Sequence, residues 1–283
     1  MIRIGAFLVG LFFAGWLVVS AVMGAFAFVS EPPAKTAEKV FHQYPKDVDF
    51  SFNGPLGKYD RAQLQRGLQV FREVCAACHS LHYVSFRDFA QLGYSEGQVK
   101  TIAQEWPAET PSINPDTGEA TTRKPIPTDK IPAPYANDVA ARAANNNAIP
   151  PDLSLMTKAR HDGSAYVYSL LTGYQNPPAE LAKKFPEAMP GKTTHYNPYF
   201  ANLNLAMAAP LHTDGQVTYG EGAPKPTVNQ MAKDVAAFLT WTAEPKLEQR
   251  KRAGTAAVIF LLVFLGLCIG AYKNIWADKK AQA

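Results

Sequence analysis

The sequence predicts a mostly α-helical fold, in which one domain with long ordered loops lies between two apolar helices. Three observations support this prediction. Residues 4–29 and residues 253–272 form two runs without a charged side chain. Two stretches, which begin at Asp60 and Thr227, carry apolar residues at helical spacing. Residues 107–151 contain nine prolines, which exclude long helices and favour an ordered loop.

Both apolar runs are long enough to cross a bilayer, which takes about 20 apolar residues. The first run ends in an Ala-Phe-Ala triplet that resembles a signal cleavage site, but it is longer than the usual signal core of roughly 7–15 residues. The second run has no polar face at helical spacing, which argues against a buried core helix. We therefore predict a signal or membrane anchor at residues 1–29, a domain at 30–245, and a transmembrane helix with a short cytoplasmic tail at 246–283.

The distribution of charge favours a lipid bilayer and argues against nucleic acid as a partner. The whole chain has a net charge of +4, yet residues 30–245 carry 20 basic and 22 acidic side chains. The basic excess lies beside the apolar runs, where it fits contact with lipid head groups. A nucleic-acid-binding domain would instead carry a basic patch of its own.

The two predicted helices of the domain have clear start signals. Asp60 is a candidate N-cap with Gln63 three residues later, and Thr227 has Gln230 at the same spacing, so both stretches predict a capping box. Gly67 interrupts the first helix, where glycine costs about 1 kcal/mol relative to alanine. A close crossing with another helix would account for it.

The motif Cys75-Ala76-Ala77-Cys78-His79 has the spacing of a c-type haem attachment site. Two thiols one turn apart can bond both vinyl groups of one porphyrin, and the following histidine can then ligate the iron. A structural zinc site would need four ligands, and the only other cysteine, Cys268, lies in the second apolar run. The motif therefore predicts one covalent haem c, and makes residues 30–245 a haem domain.

The second axial position of the iron has several candidates. Methionine at this position gives a six-coordinate electron carrier and raises its potential. Met207 lies in an apolar loop, where small alanine neighbours would let its thioether reach a porphyrin, although a buried methionine is more often core filler. The other methionines outside the apolar runs are Met156, Met189 and Met231, and the residues alone leave this choice open.

Several blocks of sequence, in this order, resemble the cytochrome c1 family, the haem-bearing subunits of ubiquinol:cytochrome c oxidoreductase (the bc1 complex). The resemblance covers residues 54–276. It rests on GPLGKYD (54–60), QVFREVCAACHSL (69–81), AANNNAIPPDLSLMTKARHDG (143–163), YVYSLLTGYQNPP (166–178), NPYF (197–200), LAMAAPL (205–211) and MAKDVAAFLTWTAEPKLEQRKRAG (231–254). It implies a class I c-type cytochrome domain in which the first and last helices cross at Gly67.

The resemblance also implies roles for eight residues around the haem. They are the thioether cysteines Cys75 and Cys78, the proximal ligand His79, the distal ligand Met207, the propionate partner Arg160, and the pocket residues Asn145, Pro151 and Tyr166. Many bacterial members have a disulfide in the distal region, but this chain has no cysteine pair left to form one. We expect packing to hold the Met207 loop instead.

The function implied by the resemblance is one-electron transfer from the Rieske iron–sulfur protein to cytochrome c, within a respiratory complex expected to be dimeric and to contain cytochrome b. The subunit would carry electrons without bond chemistry of its own, so whether it counts as an enzyme is left open. The implied location is the bacterial inner membrane, with the haem domain in the periplasm. Two alternatives remain: a free-standing membrane-anchored cytochrome or oxidase subunit, and a haem peroxidase with an open sixth site.

Overall fold

The computed structural model describes residues 2–32 and 34–280. Met1 of the predicted N-terminal segment, Pro33 of the predicted domain and residues 281–283 of the predicted tail lie outside the described residues. Its two longest helices are α1, Ile2–Ser30, and α10, Leu247–Lys280. Each is long and apolar enough to cross a membrane, and neither buries the side chains of its apolar window within the chain. The mostly helical fold with an apolar helix on either side of the domain is confirmed.

The domain between them is built on two crossing helices, α3 (Arg61–Val70) and α9 (Val228–Ala243). They cross at Gly67, where an added Cβ would lie 2.2 Å from the backbone oxygen of Asp234 and 2.6 Å from Cβ of Phe238. Real Cβ atoms do not approach so closely, so only glycine permits this distance between the helices. The expected reason for a glycine within the helix is confirmed.

The N-caps of both helices are as predicted, but the capping boxes are wrong. Asp60 accepts from the backbone N–H groups of Ala62 and Gln63, and Thr227 accepts from that of Gln230. The two glutamine side chains turn away from the caps and donate to Oδ1 of Asp234, at 3.1 Å from Gln63 and 2.8 Å from Gln230. A buried carboxylate without hydrogen bonds costs more free energy than an exposed N-cap without its glutamine, so both amides bind the carboxylate.

Asp234 is fully buried and is paired with Arg66 across the crossing, with 2.9 Å between Nε and Oδ2. Together with the two glutamine amides, this gives the carboxylate four hydrogen bonds. Removing one partner from such a network would lower the free energy of unfolding, because an unpaired buried charge would remain. It therefore sets the register of α3 against α9.

The remaining elements are short and wrap around this crossing. A π-helical turn at Phe71–Cys75 follows α3, and 3-10 turns occupy Phe86–Leu92 and Pro186–Ala188. The short helices are α2 (Ala37–Phe41), α4 (Glu96–Gln104), α5 (Asp138–Ala144), α6 (Met156–Ala159), α7 (Gly163–Leu171) and α8 (Ala179–Lys184). Two antiparallel hairpins pair β1 (Thr110–Ile113) with β2 (Ala120–Arg123), and β3 (His195–Tyr196) with β4 (Asn204–Leu205).

The proline-rich stretch at residues 107–151 contains only the seven-residue α5 and the first hairpin, as the prolines require. The polar segment after α1 contains the short helix α2, with Thr36 as its N-cap. Buried aromatic rings fill the space between the crossing and the surrounding turns. Phe71 and Phe89 from these turns pack against Phe238 and Trp241 of α9, and Trp106 packs against Phe71 and Phe89.

The first turn of α10 is attached to the domain rather than hinged on it. The Lys251 ammonium contacts the carbonyl oxygens of Phe52 and Gly54, and Glu248 accepts from the backbone N–H of Tyr59 at 2.9 Å. Leu247 is buried in the core of the domain. These contacts couple the orientation of α10 to that of the domain.

We predict that Gly67→Ala lowers the free energy of unfolding by about 1–3 kcal/mol, the usual cost of overpacking. The added methyl group has to displace the backbone of α9, which cannot move without disturbing the Asp234 network. At roughly 2–4 °C per kcal/mol for a domain of this size, the melting temperature of the purified full-length protein should fall by several degrees.

Gly97→Ala is the matched control, since Gly97 lies in α4 with nothing within 4 Å of its ideal Cβ. That change should leave the melting temperature unchanged or raise it slightly, because alanine favours a helix. Equal melting temperatures for Gly67→Ala and the wild type would contradict the close crossing.

Candidate functional site

The Cys-x-x-Cys-His motif lies directly after α3, which fixes its position against the core. The π-helical turn ends at Cys75, and the backbone N–H of His79 donates to the Cys75 oxygen at 2.9 Å. Cys75 and Cys78 are half-buried free thiols. Because Phe71 in the same turn is fully buried under α9, the crossing at Gly67 determines where the two thiols lie.

The imidazole of His79 is held by a hydrogen bond to a backbone carbonyl. Its Nδ1 lies 2.8 Å from the oxygen of Pro151. A carbonyl oxygen can only accept, so Nδ1 carries the proton and Nε2 keeps its lone pair. Burial lowers the pKa of His79, although the Pro151 carbonyl and Asp152 oppose the shift, so the ring favours its neutral form. A neutral imidazole with Nε2 available is the form that ligates a metal.

Asp152 fastens the segment that carries Pro151 to the segment that carries His79. Its Oδ2 accepts from the Ser80 hydroxyl at 2.9 Å and from the backbone N–H of His82 at 2.8 Å. Its Oδ1 accepts from the Ser154 N–H at 2.9 Å. The hydrogen bonds hold the pKa of the Asp152 carboxyl below its usual range, although burial opposes the shift. The carboxylate therefore keeps the Pro151 carbonyl aimed at His79.

Tyr135 borders the second thiol. Its hydroxyl lies 3.6 Å from Sγ of Cys78. Asn145 lies beside Tyr135, and its amide donates to the Ala141 carbonyl of α5 at 2.7 Å. The place of Asn145 in the haem pocket stays a prediction. Two asparagines that follow it, Asn146 and Asn147, have positive φ and turn the chain sharply towards Pro151.

Met207 lies in the loop that leaves the second hairpin. The strand β4 ends two residues before it, and its partner β3 pairs His195 with Leu205. The side chain of Met207 is half-buried, and its backbone oxygen accepts from the hydroxyl of Tyr174 at 3.1 Å. Burial and the neighbouring Tyr166 raise the pKa of Tyr174 well above its usual value, so this hydroxyl remains a donor.

A left-handed residue precedes this loop. Leu203 is fully buried and has a φ of 67°, which is rare for a branched side chain. Such a conformation costs on the order of 1–3 kcal/mol and persists only where its surroundings hold it. Here the fully buried Asn197 holds it, because its backbone N–H donates to the Leu203 oxygen at 2.7 Å.

Tyr166 and Arg160 differ in their burial. Tyr166 is half-buried, packs against the main core as Cys75 and Ala76 do, and lies close to Tyr174. Arg160, by contrast, is exposed and donates to the Ala159 carbonyl at 3.2 Å. Its pairing with a haem propionate stays a prediction.

The residues of the site fit a covalent haem c. Two free thiols, an imidazole with its Nε2 lone pair available, and the thioether of Met207 are the donor types that such a group requires. Sequence reasoning missed Asp152, Tyr135 and Tyr174. Asp152 directly follows Pro151, so a charged residue beside a predicted pocket residue could have indicated its role. No pattern in the sequence relates Tyr174 to Met207.

Similarity to known proteins identifies the family of this chain. Residues 50–279 match the family model described as the Cytochrome C1 family. Cytochrome c1 of Rhodospirillum rubrum is 43% identical over 241 residues, covering 82% of this chain and 87% of that protein. Cytochrome c1-2, heme protein, mitochondrial, of Solanum tuberosum is 43% identical over 266 residues, covering 93% of this chain and 96% of that protein.

A third relative is longer. Cytochrome b/c1 of Bradyrhizobium diazoefficiens is 43% identical over 249 residues, which make up 83% of this chain but only 36% of that protein. The match to the family model covers the motif, the Met207 loop and both crossing helices. The chain therefore belongs to the cytochrome c1 family of respiratory electron-transport proteins, whose characteristic cofactor is one covalent haem c.

Proposed function

We propose that this chain carries one haem c and transfers electrons from the Rieske iron–sulfur protein to cytochrome c, as a subunit of the bc1 complex. Cys75 and Cys78 form the thioether bonds, and His79 and Met207 are the axial ligands. The observation that carries the proposal is the 2.8 Å hydrogen bond from His79 Nδ1 to the Pro151 oxygen, within a Cys-x-x-Cys-His motif. It leaves Nε2 as the one imidazole atom able to ligate iron.

The haem, when bound, supplies the one-electron chemistry, and the chain's own residues set its properties. The Pro151 carbonyl fixes the tautomer and the orientation of His79, and a hydrogen bond to the outer nitrogen raises the basicity of a ligating imidazole. The thioether of Met207 favours a higher potential than a second histidine would. Arg160 pairs with a propionate through a charge-assisted hydrogen bond. Asn145, Pro151 and Tyr166 line the pocket.

Cytochrome b is the proposed neighbour in the membrane. The Bradyrhizobium diazoefficiens relative has both cytochrome b and c1 in its printed name, and this chain matches 36% of its length. The apolar side chains of α10 are exposed along its length, as expected for a helix in contact with lipid and other apolar helices. Because Lys251 and Glu248 hold this helix to the domain, the haem would lie at a fixed position above the membrane within a dimeric complex.

We place the protein in a bacterial inner membrane with its haem domain in the periplasm, since haem is attached to c-type apoproteins on that side. On this view, residues 30–245 form the periplasmic domain, residues 246–283 the C-terminal span and cytoplasmic tail, and residues 1–29 a signal or second anchor. The basic residues beside the C-terminal span give no guide to orientation, with four on one side and three on the other. They are Lys246, Arg250, Lys251 and Arg252 against Lys273, Lys279 and Lys280.

Replacing Met207 should test the distal ligand. Met207→Leu keeps the volume but removes the thioether, so the midpoint potential should fall by on the order of 100 mV, a part of the ~0.8 V that axial ligands span. The reduced haem should also bind carbon monoxide. The control is Met156→Leu, since Met156 begins α6 and packs against the main core, away from the hairpin that leads to Met207. An unchanged potential and spectrum for Met207→Leu would refute this ligand.

Protease accessibility should test the topology. A protease added to intact spheroplasts should cleave within residues 34–245, because this region lies outside the cytoplasmic membrane. A cytoplasmic marker protein should remain intact in the same sample. Protection of residues 34–245 until the spheroplasts are lysed would show that the domain faces the cytoplasm.

Purification should test membership of the complex. An affinity-tagged chain extracted in mild detergent should carry b-type haem with it and should oxidise ubiquinol with cytochrome c as acceptor. A free-standing cytochrome would purify with c-type haem alone and without quinol oxidation. A peroxidase would instead bind carbon monoxide in its wild-type reduced form.

A further inference from the structure

The segment of residues 170–174, at the end of α7, makes three contacts with the second hairpin and the Met207 loop that follows it. The amide of Asn197 donates to the Leu170 oxygen at 2.7 Å. The ring of Tyr199 packs on Gly173 so closely that an added Cβ would lie 2.4 Å from Cδ2. The hydroxyl of Tyr174 donates to the Met207 oxygen at 3.1 Å.

The first two contacts hold the hairpin, and only the third reaches Met207 itself. Asn197 is fully buried, and its Oδ1 also accepts from the Tyr199 N–H at 3.1 Å, so the 195–205 hairpin and the end of α7 form one packed unit. Met207 lies beyond the last paired residue, Leu205. Without a further contact, the position of its backbone would depend on the hairpin alone.

The end of α7 is itself held by the segment before α3. The ammonium of Lys46 donates to the oxygen of Thr172 at 3.2 Å and to its hydroxyl at 2.8 Å, and it lies over the rings of Tyr168 and Tyr199. Tyr174 therefore extends from a fixed support. Because the segment that carries Tyr174 is held in place, its hydroxyl restrains the Met207 oxygen. A hydroxyl on a mobile loop would move together with Met207 and would not restrain it.

We propose that Tyr174 is a positioning residue for Met207, and that its hydrogen bond restrains the loop in a chain that has no cysteine pair for a disulfide there. The inference rests on the proposed function, in that Met207 is taken as the distal ligand. Tyr174 acts through the Met207 backbone and does not touch the iron. Its loss should shorten the time that the thioether stays bound, while the covalent attachment of the haem remains intact.

The test replaces Tyr174 by Phe in the full-length protein, which removes the hydroxyl and keeps the ring. The readout is the rate at which cyanide binds the oxidised haem, because cyanide can enter only when the methionine has left the iron. We expect an increase of about fivefold, the effect of losing one ordinary hydrogen bond. The midpoint potential should fall as well, and the haem content per chain should equal that of the wild type.

The matched control is Tyr168→Phe, which makes the same change within α7, before the segment that carries Tyr174. The hydroxyl of Tyr168 hydrogen-bonds to Asn229 on α9 at 3.3 Å instead of to the Met207 loop. Cyanide binding should be unchanged in this variant. Equal acceleration in both variants would mean that α7 loosens in general, and would overturn the proposal.

Two further results separate this inference from the ligand assignment. If Met207→Leu opens the haem to cyanide but Tyr174→Phe binds it at the wild-type rate, the ligand stands and the positioning role fails. If Met207→Leu leaves cyanide binding unchanged, the ligand assignment fails and the inference fails with it.

Should Tyr174→Phe not accumulate with haem, 3-fluorotyrosine at position 174 provides a stronger donor of the same shape. It should slow cyanide binding, and an unchanged rate would refute the role.

Discussion

The close crossing of α3 and α9 at Gly67 is the constraint on which the rest of the structure depends. A side chain at this position would collide with the backbone of Asp234, so the helices can approach only through glycine. Their approach buries Asp234. Because a buried carboxylate requires hydrogen-bond partners, Arg66 and the amides of Gln63 and Gln230 pair with it. The end of α3 is then fixed, and Cys75 and Cys78 with it. The position of the haem-binding motif is thus a consequence of helix packing.

Two loops carry the remaining residues of the proposed site, and each is held differently. The segment with Pro151 is held by the Asp152 carboxylate, which accepts hydrogen bonds from Ser80 and His82, just after His79. The Met207 loop is held by a short hairpin, a strained Leu203 and the hydroxyl of Tyr174. Neutral hydrogen bonds are weaker than those to a charged group. The proximal side is therefore the more firmly built, and the distal side is where single substitutions should have the larger effect on ligation.

Much of this arrangement was predictable from local sequence patterns. The N-caps Asp60 and Thr227, the apolar runs and the haem motif each depend on neighbours within a few residues, and a glycine within a helix indicates a close crossing. The side-chain directions of Gln63 and Gln230 were predicted wrongly, because the buried carboxylate of Asp234 competes with the caps. Asp234 is far from Gln63 in the sequence and one helical turn from Gln230. The contact of Tyr174 with Met207 spans 33 residues and depends on tertiary packing, which no local pattern records.

The central claim is that this chain holds one haem covalently through Cys75 and Cys78. The most direct measurement is the intact mass of the purified subunit after denaturation, when any group that is not covalently bound has been lost. The account predicts the mass of the polypeptide plus one haem, and the loss of that added mass when both cysteines are replaced by alanine. The mass of the bare polypeptide, from a preparation that shows haem absorbance before denaturation, would contradict it.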